Sequence, residues 1–173
     1  MKNILITGGG GYIGTNLVNS LINDRYNIKV IDTFWFGNYL KKNKNLKILK
    51  KDIREINKND LKKIDCIIHL ASIANDPAAE LDAKLTWDVN VLATYKLITI
   101  AISSNVKKFI FASSGSVYGI KKEKKVTENL SLEPISEYNK SKMIAERILL
   151  SFKKEIDLTI LRPATVCGYS PAM

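Results

Sequence analysis

The stretch KNILITGGGGYIG, residues 2–14, joins an apolar run to four consecutive glycines and then to an amphipathic segment. This order predicts a buried strand, a tight turn and a helix. Gly8 suits the turn, Gly11 lets a ligand approach the backbone, and Gly14 leaves room where the helix meets the strand. The N-terminus of the predicted helix would offer free N–H groups to a phosphate.

On the C-terminal side of this stretch, short apolar runs alternate with longer amphipathic stretches, as in βαβ units. We therefore predict an α/β fold with a doubly wound parallel sheet, the Rossmann fold. The six predicted strands are Lys2–Thr7, Ile28–Asp32, Leu46–Leu49, Asp65–Leu70, Lys107–Ala112 and Leu158–Leu161. Two long helices are predicted, over Leu85–Ser104 and over Ser136–Lys154, the latter capped by Ser136.

An aspartate ends the second predicted strand, where a dinucleotide-binding fold places a carboxylate on the adenosine ribose. Asp32 would accept hydrogen bonds from both ribose hydroxyls and would repel a 2′-phosphate. NAD is therefore favoured over NADP as the cofactor. Lys41 and Lys42 in the following loop keep NADP open as an alternative.

Composition bounds the class of protein. A chain of 173 residues with 46% hydrophobic residues suits one globular domain, which we assign to residues 1–173. Its start lacks the pattern of a targeting segment, and we see no apolar run long enough for a bilayer. We expect a cytoplasmic protein without a membrane partner.

The net charge of +10 comes mostly from lysine. We interpret it as a solvated surface and expect no nucleic-acid partner, because no nucleic-acid motif accompanies the lysines. Cys66 and Cys167 are far apart and are not expected to form a disulfide. One histidine, His69, and two separated cysteines do not make a ligand set, so no metal is expected.

Two further motifs follow the fifth predicted strand. Residues 113–119 read SSGSVYG, and residues 138–142 read YNKSK, in which Tyr138 precedes Lys142 by four positions. Together with the spacing of Thr7, Gly8, Gly11 and Gly14, they make the whole chain resemble the extended short-chain dehydrogenase/reductase family, in its NAD-dependent epimerase/dehydratase group. The resemblance implies that Ser114, Tyr138 and Lys142 are catalytic.

The resemblance also implies which residues contact NAD. Asp52 and Ile53 match the pair beside the adenine, Asn90 matches a helix asparagine of the family, and Pro163 lies in a turn beside the nicotinamide. The full set is Gly8, Gly11, Tyr12, Ile13, Gly14, Asp32, Asp52, Ile53, Leu70, Ala71, Ser72, Asn90, Tyr138, Lys142 and Pro163.

The spacing of Tyr138 and Lys142 places both on one helix face, so the ammonium is expected to lower the pKa of the phenol. Tyr138 could then act as general base on a sugar hydroxyl that Ser114 holds in place. Ser113 and Ser116 are the alternatives to Ser114. His69 is expected to be structural or to line the cofactor pocket.

Some assignments stay open. Residues 75–77, Asn-Asp-Pro, could touch substrate or form an ordinary turn. Cys167 stands where many relatives carry an aromatic residue. Gly115 and Ser116 replace the Asp-Glu pair typical of dehydratases, which favours the other reactions of the family.

We expect an enzyme that oxidises a hydroxyl of a nucleotide sugar with bound NAD, giving a keto intermediate. In the resembled family a second domain follows and binds most of the substrate, so we expect this chain to be truncated before it and weakly active alone. The full-length form is expected to be a homodimer. The alternative is a non-catalytic NAD-binding module or an inactive fragment.

Overall fold

The computed structural model describes residues 2–24 and 26–172. Its centre is a sheet of six strands, all parallel, in the order β3-β2-β1-β4-β5-β6. The predicted α/β fold with a doubly wound parallel sheet is confirmed. The strands are β1 (Lys2–Thr7), β2 (Tyr26–Asp32), β3 (Leu46–Lys50), β4 (Cys66–His69), β5 (Lys108–Ala112) and β6 (Asp157–Leu161).

Every predicted strand is present, with ends shifted by no more than two residues. Strands buried on both faces read as unbroken apolar runs, which is why β1 and β5 were easy to locate. The register pairs Ile6 of β1 with Val30 of β2 and with Ile68 of β4. The strand order reverses between β1 and β4, so a crevice opens there at the carboxyl ends of the strands.

Helices cover both faces of the sheet. On one face, α1 (Tyr12–Leu21) packs Val18 against Ile6 and Val30. On the other face, α4 (Ala93–Ser103) and α5 (Glu137–Ser151) bury Leu97 and Leu149 over Phe109. Ser136 caps α5 as predicted, since its hydroxyl accepts from the Asn139 N–H at 3.2 Å.

The predicted helix Leu85–Ser104 is three consecutive segments. It begins as α3 (Ala83–Trp87), passes through a π-helical turn at Asp88–Leu92 and continues as α4. By length and composition alone the helix Ala83–Ser103 could cross a membrane, contrary to our expectation that no run was long enough. Half of its apolar window is buried in the domain, as in the core helix of a globular protein.

A short helix was missed. α2 (Asp76–Leu81) lies within a region expected to be irregular, and Asn75 caps it by accepting from the Ala78 N–H at 3.0 Å. Asn75 has a φ of 69° and a ψ of 160°, a strained conformation that residues other than glycine rarely adopt. Residues 75–77 therefore form the start of a helix and not an ordinary turn, and Asn75 also lines the cleft described below, so a contact with substrate stays a prediction.

Candidate functional site

A cleft of about 1560 Å³ lies at the carboxyl ends of the strands. Sites for drug-sized ligands usually have about 300–1000 Å³, so this cleft suits an extended ligand. Its wall includes the three proposed catalytic residues and every proposed cofactor residue except Asn90. The fold therefore gathers into one place residues that are spread from position 8 to position 163 of the chain.

The glycine turn forms the floor of this cleft. Gly8 has a φ of 73°, and a Cβ there would lie 2.5 Å from the Ala71 nitrogen. A Cβ on Gly14 would lie 2.2 Å from the Gly8 carbonyl oxygen. Gly11 differs, because a Cβ there would meet only that carbonyl oxygen, at 3.5 Å. The packing of the protein thus requires Gly8 and Gly14, whereas Gly11 leaves a space on the ligand side.

Helix α1 begins directly behind this turn. Its N-cap is Gly11, no side chain caps it, and no acidic residue lies in its first turn. The first N–H groups of a helix lack intrahelical acceptors, and the helix dipole makes this end positive. Tyr12, Ile13 and Gly14 all line the cleft, so this end of α1 is suited to a phosphate.

Asp32 lies at the end of β2 beside the glycine turn. One oxygen accepts from the Gly10 N–H at 2.9 Å, and the other accepts from the Phe34 N–H at 2.6 Å. These bonds fix the orientation of the carboxylate while each oxygen keeps a further lone pair for a ligand hydroxyl. No arginine or lysine side chain pairs with Asp32 within the described residues, so the negative charge faces the cleft uncompensated.

Asp52 and Ile53 line the cleft after β3. Arg54 donates to both oxygens of Asp52, at 2.7 and 3.1 Å, and this hydrogen bonding lowers the pKa of the carboxyl group. Asp52 also accepts from the Arg54 N–H at 2.8 Å, which begins a short 3₁₀ turn. The aspartate therefore stays ionised and fixed at the cleft wall.

Asn90 does not line the cleft, in contrast to the direct cofactor contact that we predicted for it. Its hydrogen bonds go instead to the loop after β4. The amide oxygen of Asn90 accepts from the Ile73 N–H at 2.8 Å, and its amide nitrogen donates to the Ile73 carbonyl at 3.1 Å. The same amide also bonds the hydroxyls of Ser72 and Ser141, both at 3.0 Å. With its hydrogen-bonding positions filled by protein, Asn90 orients the loop that carries Ser72.

The serine loop separates its three hydroxyls. Ser113 is buried and donates to Glu146, away from the phenol of Tyr138. Ser114 caps the 3₁₀ turn Gly115–Tyr118, and its hydroxyl lies 2.7 Å from that of Ser116. The hydrogen bond between Ser114 and the phenol acts to lower the pKa of Tyr138. Of the three candidates, Ser114 is the one whose side chain influences the pKa of Tyr138.

Tyr138 and Lys142 share one face of α5, but the pKa of the phenol is not lowered as we expected. Burial raises the pKa of Tyr138, and the nearby charge of Asp76 adds to this increase. The Lys142 ammonium donates to the Ala112 carbonyl at 2.9 Å and lies 5.0 Å from the centre of the Phe111 ring. Burial lowers the pKa of Lys142 to about 8, against an opposing effect of Glu146.

His69 and the two cysteines are the remaining candidates from the sequence. His69 is buried between Thr7, at 2.6 Å, and Thr94, at 2.8 Å, and burial lowers its pKa to about 3, so it is a neutral core residue. Cys66 and Cys167 are both free thiols. Within residues 2–24 and 26–172 no three His, Cys, Asp or Glu side chains are grouped to hold a metal ion.

The segment 164–172, which we call the strap, was not anticipated. It follows β6, contributes Ala164–Val166 and Ala172 to the cleft wall, and then docks on α1. The Tyr12 hydroxyl donates to the Gly168 carbonyl, and the Asn16 amide donates to the Tyr169 carbonyl at 2.9 Å. The Ser170 hydroxyl donates to the Tyr12 carbonyl at 2.8 Å. No local sequence signal could have revealed contacts between residues more than 150 positions apart.

Comparison with known proteins shows the family to which this chain belongs. The model of the NAD dependent epimerase/dehydratase family matches residues 4–173. A putative UDP-glucose 4-epimerase of Methanocaldococcus jannaschii is 32% identical over 95% of this chain and 56% of its own length. A UDP-glucose 4-epimerase of Lactobacillus helveticus is 32% identical over 96% of this chain and 52% of its own length.

Solved structures of sugar-nucleotide epimerases are also similar to this chain. A UDP-N-acetylglucosamine 4-epimerase of Methanobrevibacter ruminantium, in complex with UDP-N-acetylmuramic acid, has a TM-score of 0.88 and 33% identity over 93% of this chain and 54% of its own. A UDP-glucuronic acid 4-epimerase of Bacillus cereus, in complex with NAD, has a TM-score of 0.87 and 29% identity over 99% of this chain and 60% of its own. This chain thus spans about half the length of the curated relatives it matches.

Proposed function

Because this chain belongs to the NAD-dependent epimerase/dehydratase family, we propose that its cleft binds NAD and that the protein interconverts nucleotide sugars through a keto intermediate. The observation that carries the proposal is the joint placement of Asp32, the α1 N-terminus and Tyr138 along one cleft wall. These groups match in order a ribose, a pyrophosphate and a reacting centre.

The residues fit NAD at both ends of the cleft. The space in front of Gly11 and the uncapped start of α1 would receive the pyrophosphate. Asp32 would accept from the ribose hydroxyls, and Asp52 and Ile53 would lie beside the adenine. When bound, NAD would supply the hydride acceptor for the carbon that carries the reacting hydroxyl. The uncompensated charge of Asp32 disfavours the additional phosphate of NADP.

The chain's own residues would handle the proton. Ser114 would hold the reacting hydroxyl beside the Tyr138 oxygen, and Tyr138 would take its proton as the hydroxyl becomes a carbonyl. The raised pKa of Tyr138 makes the phenol the resting form, so it is also ready to return a proton to a carbonyl oxygen. Lys142 would stabilise the phenolate form by its charge, from 5.8 Å away from the ring centre.

The substrate class follows from the relatives. Several of the proteins that resemble this chain are named as 4-epimerases of UDP sugars. In the resembled family, dehydratases carry an acidic pair where this chain has Gly115 and Ser116. We therefore assign this protein an epimerisation at C4 of a UDP-hexose. The part of the relatives that lies beyond this chain's match would contribute to sugar binding.

We also propose that two copies pair through α4 and α5. Leu92 and Tyr95 expose about half of their surface on this side. Tyr95 packs on Phe152 with 6.2 Å between ring centres, so the two helices present one firm apolar face. A second copy is the occupant that we propose, because two-fold pairing is the commonest assembly of soluble proteins.

The proposed reaction is tested by supplying the protein, with any continuation of its chain, with NAD and either UDP-glucose or UDP-N-acetylglucosamine. The expected result is the C4 epimer of one of them, detected by chromatography. Tyr138→Phe should abolish turnover and leave NAD affinity within about threefold, because the phenol oxygen acts on the sugar. NAD binding without conversion of either sugar would favour the non-catalytic module instead.

A further inference from the structure

A buried ion pair lies directly beneath the proposed catalytic residues. Glu146 of α5 is completely buried, and Arg162, at the end of β6, donates to both of its oxygens at 2.7 and 3.0 Å. Within the described residues Glu146 is the one acidic side chain classed as buried. A buried carboxylate is costly unless it is paired, so its place in the fold calls for an explanation.

The pair connects four elements around the proposed site. Ser113, at the end of β5, donates its hydroxyl to Glu146, and Tyr118 of the serine loop receives a hydrogen bond from Arg162 at 2.8 Å. The segments that follow β5 and β6 are also joined through their backbones, since the Gly115 N–H donates to the Pro163 carbonyl at 2.7 Å. Ser114 thus sits in a loop that is held on both sides by one ion pair.

Glu146 is also one helical turn from Lys142, which in turn is one turn from Tyr138. Side chains four positions apart are neighbours on a helix, so the negative charge lies beside the buried ammonium. Two buried or partly buried cations, Lys142 and Arg162, therefore share one carboxylate. His69 of β4 faces the same ammonium but is neutral, and β5 contributes only the Ala112 carbonyl and the Phe111 ring.

We propose that Glu146 is a positioning residue of the reaction site, which fixes the Ser114 loop through Ser113 and Arg162 and balances the charge of Lys142. This role rests on the proposed function, because it matters for catalysis only if Lys142 supports Tyr138. Removal of Glu146 would leave the Arg162 charge uncompensated near Lys142, and removal of the arginine would leave the carboxylate uncompensated. The two changes should act on Lys142 in opposite directions.

The test is a titration of Lys142 by NMR on protein isotope-labelled at lysine Cε, with the signal identified by its absence in Lys142→Arg. Glu146→Gln should lower the titration midpoint by about one pH unit, and Arg162→Gln should raise it by a similar amount. The double variant Glu146→Gln/Arg162→Gln should return the midpoint close to that of the wild type. Glu155→Gln, which alters an exposed carboxylate beyond the end of α5, should leave it unchanged.

A shift of both single variants in the same direction, or of neither, would overturn the proposal. If Glu146→Gln does not fold, as judged by circular dichroism, Arg162→Gln still tests the proposal. A raised midpoint in that variant supports a charge effect on Lys142, and an unchanged or lowered midpoint contradicts it. The titration needs neither NAD nor a sugar. A protein that fails to bind NAD but shows the opposite shifts would therefore contradict the proposed function and not the arrangement around Lys142.

Discussion

The Lys142 ammonium lies 5.8 Å from the centre of the Tyr138 ring and donates a hydrogen bond to the Ala112 carbonyl. It therefore acts on the phenol through charge and not through direct contact. Because both groups are buried, the pKa of Tyr138 is raised and that of Lys142 is lowered to about 8. The pH range in which Tyr138 can lose its proton beside a charged Lys142 therefore has an upper limit, set by the pKa of Lys142.

This relationship predicts a pH dependence of turnover. As pH rises through about 8, Lys142 loses its proton and with it the charge that favours the phenolate. We expect kcat/KM for epimerisation to fall above this pH, and Lys142→Arg to move the fall to higher pH because arginine stays charged. Initial rates across the neutral and alkaline range check this. An unchanged alkaline limb in the arginine variant would contradict the assignment.

The glycine turn predicts different consequences for two neighbouring glycines. Gly14→Ala should destabilise the protein by about 1–3 kcal/mol, because the new Cβ would lie 2.2 Å from the Gly8 carbonyl oxygen. Gly11→Ala should cost less than about 1 kcal/mol, since its Cβ would meet that oxygen at 3.5 Å. Gly11→Ala should nevertheless weaken NAD binding about tenfold or more by filling the ligand space. Denaturant unfolding and calorimetry separate the two effects.

The strap predicts a change in cofactor release. Tyr12→Phe and Asn16→Ala each remove one hydrogen bond that docks the strap on α1, and a hydrogen bond of this kind contributes about 0.5–1.5 kcal/mol. We expect NADH to dissociate about two- to tenfold faster from either variant, measured by stopped-flow fluorescence. Asn19→Ala is the matched control, because Asn19 contacts the Lys41 N–H of another loop. Equal acceleration in the control would refute a role for the strap.

The apolar face of α4 predicts an effect on assembly. Tyr95→Asp should convert a dimer into a monomer, because the carboxylate would be buried between the copies. Leu81→Asp is the control, as Leu81 is more exposed than Tyr95 and belongs to α2. Light scattering after size-exclusion chromatography gives both masses. A wild-type protein that is monomeric at high concentration would remove this proposal.

The sheet and the glycine turn were predictable because their signals are local. Consecutive apolar residues mark strands such as β1 and β5, and a glycine at position 8 follows directly from a turn between a strand and a helix. The short helix α2 was missed because Asn-Asp-Pro is equally common in turns. The π-helical turn that directs Asn90 inward has no local signature either.

The electrostatics of the site could not be predicted in the same way. The spacing of Tyr138 and Lys142 led us to expect a lowered phenol pKa, but burial dominates the outcome, and burial depends on contacts between distant parts of the chain. The Glu146–Arg162 pair joins a residue of α5 to one that follows β6, 16 positions along the chain. Long-range contacts of this kind are visible only once the chain has folded.

The most direct test of the account is isothermal calorimetry of the protein with NAD and NADP, for the wild type and for Asp32→Asn. We expect saturable heat with NAD, at least about tenfold weaker binding of NADP, and a loss of that preference in the variant. No heat with NAD from folded wild-type protein, or stronger binding of NADP than of NAD, would contradict it.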